Sequence, residues 1–305
     1  MAMPTPARPR PRPVKRRRLL KCGLGTVGVG VLGFGGAYGY LFNAAKIDTV
    51  DEVDFDTPLQ VPPLAWPQTN DTGQLVYDLQ LTTGERDFKP GGATKTWGIN
   101  GDYLGPTIRA RRGDQVRVNV RNSLGVESSL HWHGMHLPAG MDGGPHQPVA
   151  DNDTWCPEWN INQAAATLWY HPHPHGETAQ HVYRGLAGMF IVDDDEEAAL
   201  DLPREYGVDD IPVIVQDRNF DGDNQLDESE SILGDTGILG EDILVNGTYG
   251  PYLDVTTTRV RLRLLNASNA RVYKFGFSDD RAFAVIGSDG GLLTAPHATR
   301  QLQLS

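Results

Sequence analysis

Two histidine pairs constrain this chain more than any other feature. His131-Trp132-His133-Gly134 and Trp169-Tyr170-His171-Pro172-His173 each set two imidazoles two residues apart. Along a strand that spacing puts both rings on one face, so both can approach one cluster. Pro172 removes a ladder donor, which assigns the second pair to a strand end or edge, where ligands protrude. Imidazole nitrogen suits copper, zinc, iron and nickel, and no thiolate or carboxylate cluster accompanies the pairs. Neutral rings add no charge, so several can crowd round two or three cations. On the residues alone a zinc site of four histidines is the rival reading.

The surrounding texture is all-β. From Gln74 onward short alternating runs are broken by Gly, Pro, Asn and Asp, with no sustained helical period. Val116, Val118 and Val120 alternate after Arg112-Gly113-Asp114, giving one buried and one wet face. Val260, Leu262 and Leu264 alternate with Arg259, Arg261 and Arg263, which predicts a half-buried strand with the arginines in water. Gly185 to Val192 is a further apolar run, and the acidic stretch Asp193 to Glu197 after it reads as a solvated linker. The 305 residues, 39% hydrophobic, suffice for two packed domains and exclude wholesale disorder. Greek-key sandwiches or barrels are expected at about 68–195 and 205–305. The second reads as unfinished, since the chain stops at Gln301-Leu302-Gln303-Leu304-Ser305. Two cysteines, Cys22 and Cys156, exclude a disulfide scaffold and any Cys-rich metal site.

Charge is unevenly spread. Residues 1–21 hold eight of the 27 basic residues and no acid, so 19 basic residues face 39 acidic ones in the remainder. An acidic body argues against nucleic acid as a partner, because phosphate contacts need a cationic surface. The head, ending Arg16-Arg17-Arg18-Leu19-Leu20-Lys21, precedes an uncharged, Gly-diluted apolar stretch from Cys22 to Phe42. That order resembles a twin-arginine export signal over residues 1–45, with a single membrane anchor as the alternative. The expected location is periplasmic, extracellular or cell-envelope, reached through the twin-arginine machinery, which moves folded proteins. Residues 46–67 read as a tether.

The histidine pairs, together with Met141-Asp142-Gly143-Gly144-Pro145 and Gly185-Leu186-Ala187-Gly188, resemble the multicopper oxidases. The likeness is to the bacterial copper-efflux (cuprous oxidase) and laccase-like branch. Gly105-Pro106-Thr107-Ile108-Arg109 and Arg112-Gly113-Asp114 match its first cupredoxin domain. Pro212 to Asp217, Arg261 to Asn269 and Ser288-Asp289-Gly290-Gly291 resemble its second. The resemblance implies tandem cupredoxin-like domains and copper as cofactor. It makes His131 a ligand of the type 2 copper, and His133, His171 and His173 ligands of the type 3 pair. It sets His175 beside the ligands and gives Asp142 a part in proton delivery, although a turn Asp before Gly143-Gly144 is the plain alternative. The implied partners are dioxygen and a small phenolic or cuprous-ion electron donor. His136, His146, His181 and His297 fit no ligand spacing and read as surface or structural.

The family takes eight histidines from four such pairs and a type 1 copper from a His-Cys-His segment; this chain supplies two pairs and no such segment. Cys156, without flanking histidines, reads as an inert thiol. Three explanations stay open: a piece of a longer oxidase, a short product completed by a partner, or a non-catalytic relative such as the family's cell-division branch. A non-catalytic copper-binding module and a structural envelope protein are the competing functions. Retention of all four histidines counts against a purely structural role. A last pattern, Asp217, Asn219, Asp221, Asp223 and Glu228 with Gly222, has the oxygen spacing of a calcium loop. A Gly/Asp-rich hairpin turn is the favoured reading there.

Overall fold

The computed structural model describes residues 53–229 and 237–305; the basic head and the apolar stretch lie outside the described residues. Strands form the architecture, in cupredoxin-like sandwich layers. Leu75–Arg86 turns Tyr77, Leu79 and Leu81 inward at period two. It pairs in parallel with Gln115–Ser123, whose Val116, Val118 and Val120 are fully buried, and along its other edge with Thr94–Ile99. The facing sheet runs in the order Ile108–Arg111, Gly188–Asp193, Ala166–His171, His131–His133. Trp132, Tyr170 and Phe190 from this sheet meet the valines and leucines of the first. Each such side chain contributes roughly 1.5–3 kcal/mol when removed from water.

Gly188–Asp193 explains its own composition. Phe190 and Val192 fill the sandwich core, while Met189 and Ile191 on the opposite face pack with Ile214, Leu244 and Ala267. A strand covered on both sides reads as a continuous apolar run rather than an alternation. Gly188 lies opposite Tyr170, and a Cβ there would fall 2.2 Å from the Tyr170 ring. Beyond this strand a second sheet is built from Asp210–Arg218, Asp242–Val245, Thr248–Tyr249 and Arg261–Asn266, with Asp210–Arg218 parallel to Arg261–Asn266. Two hairpins follow, Tyr273–Gly276 with Gln301–Leu304 and Phe283–Ser288 with Gly291–Thr299. No residue from 268 to 305 is buried.

Three sequence expectations are overturned between the sheets. Arg261–Asn266 is a strand, but its arginines face inward: Arg263 is 4% exposed while Leu262 is 46% exposed. Arg263 forks Asp210 at 2.7 and 2.9 Å and donates to Thr167 at 2.8 Å. The acidic stretch is likewise no solvated linker. Asp193 accepts both donors of Arg109, Glu197 pairs with Arg261, and Asp194 caps the short helix Asp195–Ala198. The basic partners come from strands distant in sequence, so no local pattern reveals the pairing. Residues 53–67 are docked rather than loose: Thr57–Pro58 adds to Pro251–Tyr252, Ala65 donates to the Thr107 carbonyl, and the Tyr206 hydroxyl donates to that of Pro62.

Asp210, fully buried, serves Arg263 directly and sits 3.7 Å from Arg109. Asp210→Ala strands a buried guanidinium and should cost about 3–5 kcal/mol. Urea unfolding of the variant should show that loss as a lower midpoint; an unchanged midpoint means the junction is not load-sharing.

Candidate metal centre

Cross-strand register assembles the site. His131 lies opposite His171, Trp132 opposite Tyr170, and His133 opposite Trp169. Trp132 and Tyr170 point into the core, so their neighbours point out, and the two histidine pairs meet on the other face. His173 follows after Pro172 and is anchored by its backbone N–H, which donates to Ser129 Oγ at 2.8 Å. Ring centroids lie 5.4 Å apart for His131–His171 and His133–His171, and 5.5 Å for His131–His173. One nitrogen each from His131, His133 and His171 falls within 4.8 Å of the others. All four predicted ligands therefore converge. Trp169 lies against His171 and His133, at 4.1 and 5.2 Å between centroids.

The hydrogen bonds set which nitrogens are available. His171 Nδ1 lies 2.8 Å from the Pro172 carbonyl, so it carries the proton and leaves the Nε2 lone pair 3.2 Å from His133 Nδ1. Burial pushes the His171 pKa down to about 3, against the Pro172 hydrogen bond that raises it, so the ring is neutral at physiological pH. Burial, then the charge of His131, also lowers the pKa of the His133 ring, while Asp289 and Asp142 oppose that shift. His131 Nδ1 donates to the Asp142 carbonyl at 2.9 Å and lies 3.3 Å from Asp142 Oδ2, leaving Nε2 open. His173 Nδ1 is buried without a hydrogen-bond partner. Imidazole nitrogens turned toward one another and one orphaned buried nitrogen form a set that fits copper.

Asp142 reaches His131 because Gly143 lets the chain pass close. Its φ is +75°, and a Cβ would lie 1.8 Å from the Leu130 carbonyl oxygen. Asp289 is a carboxylate whose charge acts on His133 and which sequence spacing did not bring to the cluster. It sits in the turn between Phe283–Ser288 and Gly291–Thr299, and Gly291 of that turn approaches the Ala165 carbonyl. The Ser-Asp-Gly-Gly turn was visible, but its approach to the cluster is purely tertiary. His136, His146, His175 and His297 are exposed. His181 is buried at 2% exposure, and Cys156 is a half-buried free thiol.

The residues of the calcium-loop pattern are engaged in bonds within the protein. Asp217 accepts from Gly240 N–H and Arg271, and Glu228 forks Arg184 at 2.5 and 2.9 Å. Asn219 accepts from Glu241 N–H, and Asp221 accepts from the N–H groups of Asp223 and Gln225. Two of the carboxylates are thus paired with arginines. Phe220 bridges Leu226 antiparallel, the hairpin of the favoured reading.

Residues 80–197 match the multicopper oxidase family model. The chain is 44% identical over 248 residues to the cell division protein FtsP of Salmonella typhimurium, covering 81% of this chain and 52% of that protein. It is 35% identical to the multicopper oxidase mco of Staphylococcus aureus, covering 80% and 54%. Among solved structures it is similar to a laccase from Pediococcus acidilactici, with TM-score 0.77, 40% identity, and 81% and 53% of the two chains covered. A laccase-like multi-copper oxidase, CueO, from Ochrobactrum sp. gives TM-score 0.76 and 39% identity over 81% and 55%. The chain spans about half the length of the curated relatives it matches.

Gly143→Ala cannot keep the Asp142–His131 contact. Strain of about 1–3 kcal/mol should lower the Tm by on the order of 5 °C. Metal titration should show weaker binding in the same variant; a wild-type melt with wild-type affinity would refute the role given to the turn.

Proposed function

Because residues 80–197 are a multicopper oxidase domain and the chain belongs to that family, we propose that its four imidazoles supply half of a trinuclear copper centre in an exported oxidase. In this reading His131 serves a type 2 copper, and His133, His171 and His173 serve a type 3 pair. The single observation that carries the reading is the convergence of His131, His133 and His171 nitrogens within 4.8 Å of one another, with His173 against them. Bound copper would supply the redox chemistry that couples one-electron oxidation of a phenolic donor or cuprous ion to reduction of dioxygen to water. The remaining work belongs to side chains. Burial keeps His171 ready as a neutral donor, so metal entry need not displace a proton from it. Asp142, 39% exposed and 3.3 Å from His131 Nδ1, touches both solvent and the cluster, the position from which a carboxylate relays protons. Trp169 covers the flank of His133 and His171. This chain has no His-Cys-His segment, so the electron-entry copper is not among its own residues.

A second reading follows from the 43–44% identity to proteins named cell division protein FtsP. There the sandwich acts as an envelope scaffold and metal is dispensable. One double variant, His131→Ala with His171→Ala, separates the two. Elemental analysis should find copper in the wild-type chain and none in the variant. If both rescue a division defect equally and neither holds copper, the scaffold reading wins.

We further propose that residues 1–45 direct export and that the described residues comprise sandwich domains at 68–195 and 205–305. Among the described residues no helix is long and apolar enough to cross a membrane. Arg17→Lys with Arg18→Lys should leave the precursor in the cytoplasm. Normal export of that variant would remove the twin-arginine assignment.

A further inference from the structure

Just beyond the second histidine pair, the helix Thr178–Arg184 buries one more imidazole. His181 is 2% exposed, with Nδ1 3.0 Å from Ser128 Oγ and Nε2 3.3 Å from Glu177 Oε2. Trp97 meets its ring edge-on at 4.9 Å. An ionised carboxylate only accepts, so Nε2 carries the proton and Nδ1 accepts from the Ser128 hydroxyl. Ser128 is fully buried, so no substrate reaches its oxygen, and the Ser–His–Glu set is not hydrolytic.

What the arrangement joins is the entry to one histidine pair and the exit from the other. Ser128 precedes His131 by three residues, and its neighbour Ser129 accepts the backbone N–H of His173 at 2.8 Å. Residues 172–176 contain two prolines, so few backbone donors remain to hold this stretch. Strand pairing ends at His171. Beyond it, His173 bonds Ser129, while the bonds of His171 Nδ1 to the Pro172 carbonyl and of Glu177 and Thr178 to the Pro174 carbonyl stay within the segment. The next firm attachment to the 128–131 segment is the His181 ring.

We propose that His181 is a positioning residue: its bond to Ser128 holds Ser129 against the His173 backbone and so fixes the His173 imidazole at the cluster. This deepens the copper reading but depends on it only for the metal measurement below. Burial supports the arrangement, since it lowers the His181 pKa and preserves the neutral ring that can both donate and accept.

The test compares His181→Ala, Ser128→Ala and His181→Gln in the full chain, Gln keeping one donor and one acceptor. Hydrogen exchange should rise about tenfold at residues 171–177 in both alanine variants, with Leu75–Arg86 and Gly188–Asp193 unchanged and His181→Gln largely restored. Titrated with copper(II), the alanine variants should bind about tenfold more weakly, with a changed copper EPR hyperfine splitting. Exchange that rises uniformly, or only within Thr178–Arg184, overturns the positioning role and leaves His181 a packing residue. Copper bound by all variants with wild-type affinity and spectrum overturns it as well. A wild-type chain that binds no copper while the local exchange effect holds defeats the copper reading and sustains the positioning one.

Discussion

The site depends on one pairing: Trp132 against Tyr170, across antiparallel strands, inside the core. Side chains alternate faces along a strand, so seating these two aromatics inward forces His131, His133 and His171 outward together. A slip of one residue in either strand would put imidazoles among Val116, Val118 and Phe190 and aromatics in water. The register is held from several directions. The Tyr170 hydroxyl donates to the Pro106 carbonyl at 2.6 Å, and Gly188 leaves room for the ring on the neighbouring strand. Trp132 packs against Trp159 and Phe190 as well. The histidine geometry is thus a by-product of hydrophobic burial, which is large and non-directional, converted into direction by the pleat.

The second constraint is how the sandwich is joined to the sheet after it. Gly188–Asp193 lends one face to each core, so neither can shift without exposing apolar surface. Around this shared strand sit Arg109, Asp193, Asp210, Arg263, Glu197 and Arg261, paired across sequence separations of 53 to 84 residues. Buried ion pairs add little net stability, because desolvation consumes most of their attraction. Their value is directional: a guanidinium fork accepts a carboxylate in one plane. The apolar strand gives adhesion and the forks give orientation.

Sequence pattern made the β class and the grouping of the four histidines with Asp142 legible, because each rests on local periodicity or on a compact motif. Val116, Val118 and Val120 announce a buried face by alternation alone. Arg259 to Leu264 alternate just as cleanly, yet the strand is inverted, with Arg263 inside and Leu262 outside. Period two reports that two faces differ; it does not report which is inward when the arginines have acids waiting for them. Asp210 and Glu197 are those acids, and nothing within ten residues of Arg263 points to them both. His181 was equally opaque. A lone histidine on a short helix has no spacing to read, and its partner Ser128 lies 53 residues away.

Electrostatics favours cations at this cluster. Imidazole binds a metal through an uncharged nitrogen, so metal ions held by these rings would lack compensation from the ligands. The protein supplies it from farther out. Asp142 and Asp289 are the carboxylates whose fields favour positive charge at His133, one from the turn after the first histidine pair and one from the hairpin turn at 289–290. Residues after 21 are strongly acidic, which draws cations toward the surface and lets them concentrate near the exposed His133. Carboxylates in direct contact would have selected hard cations; withdrawn behind imidazoles, they neutralise charge while the nitrogen donors choose the metal.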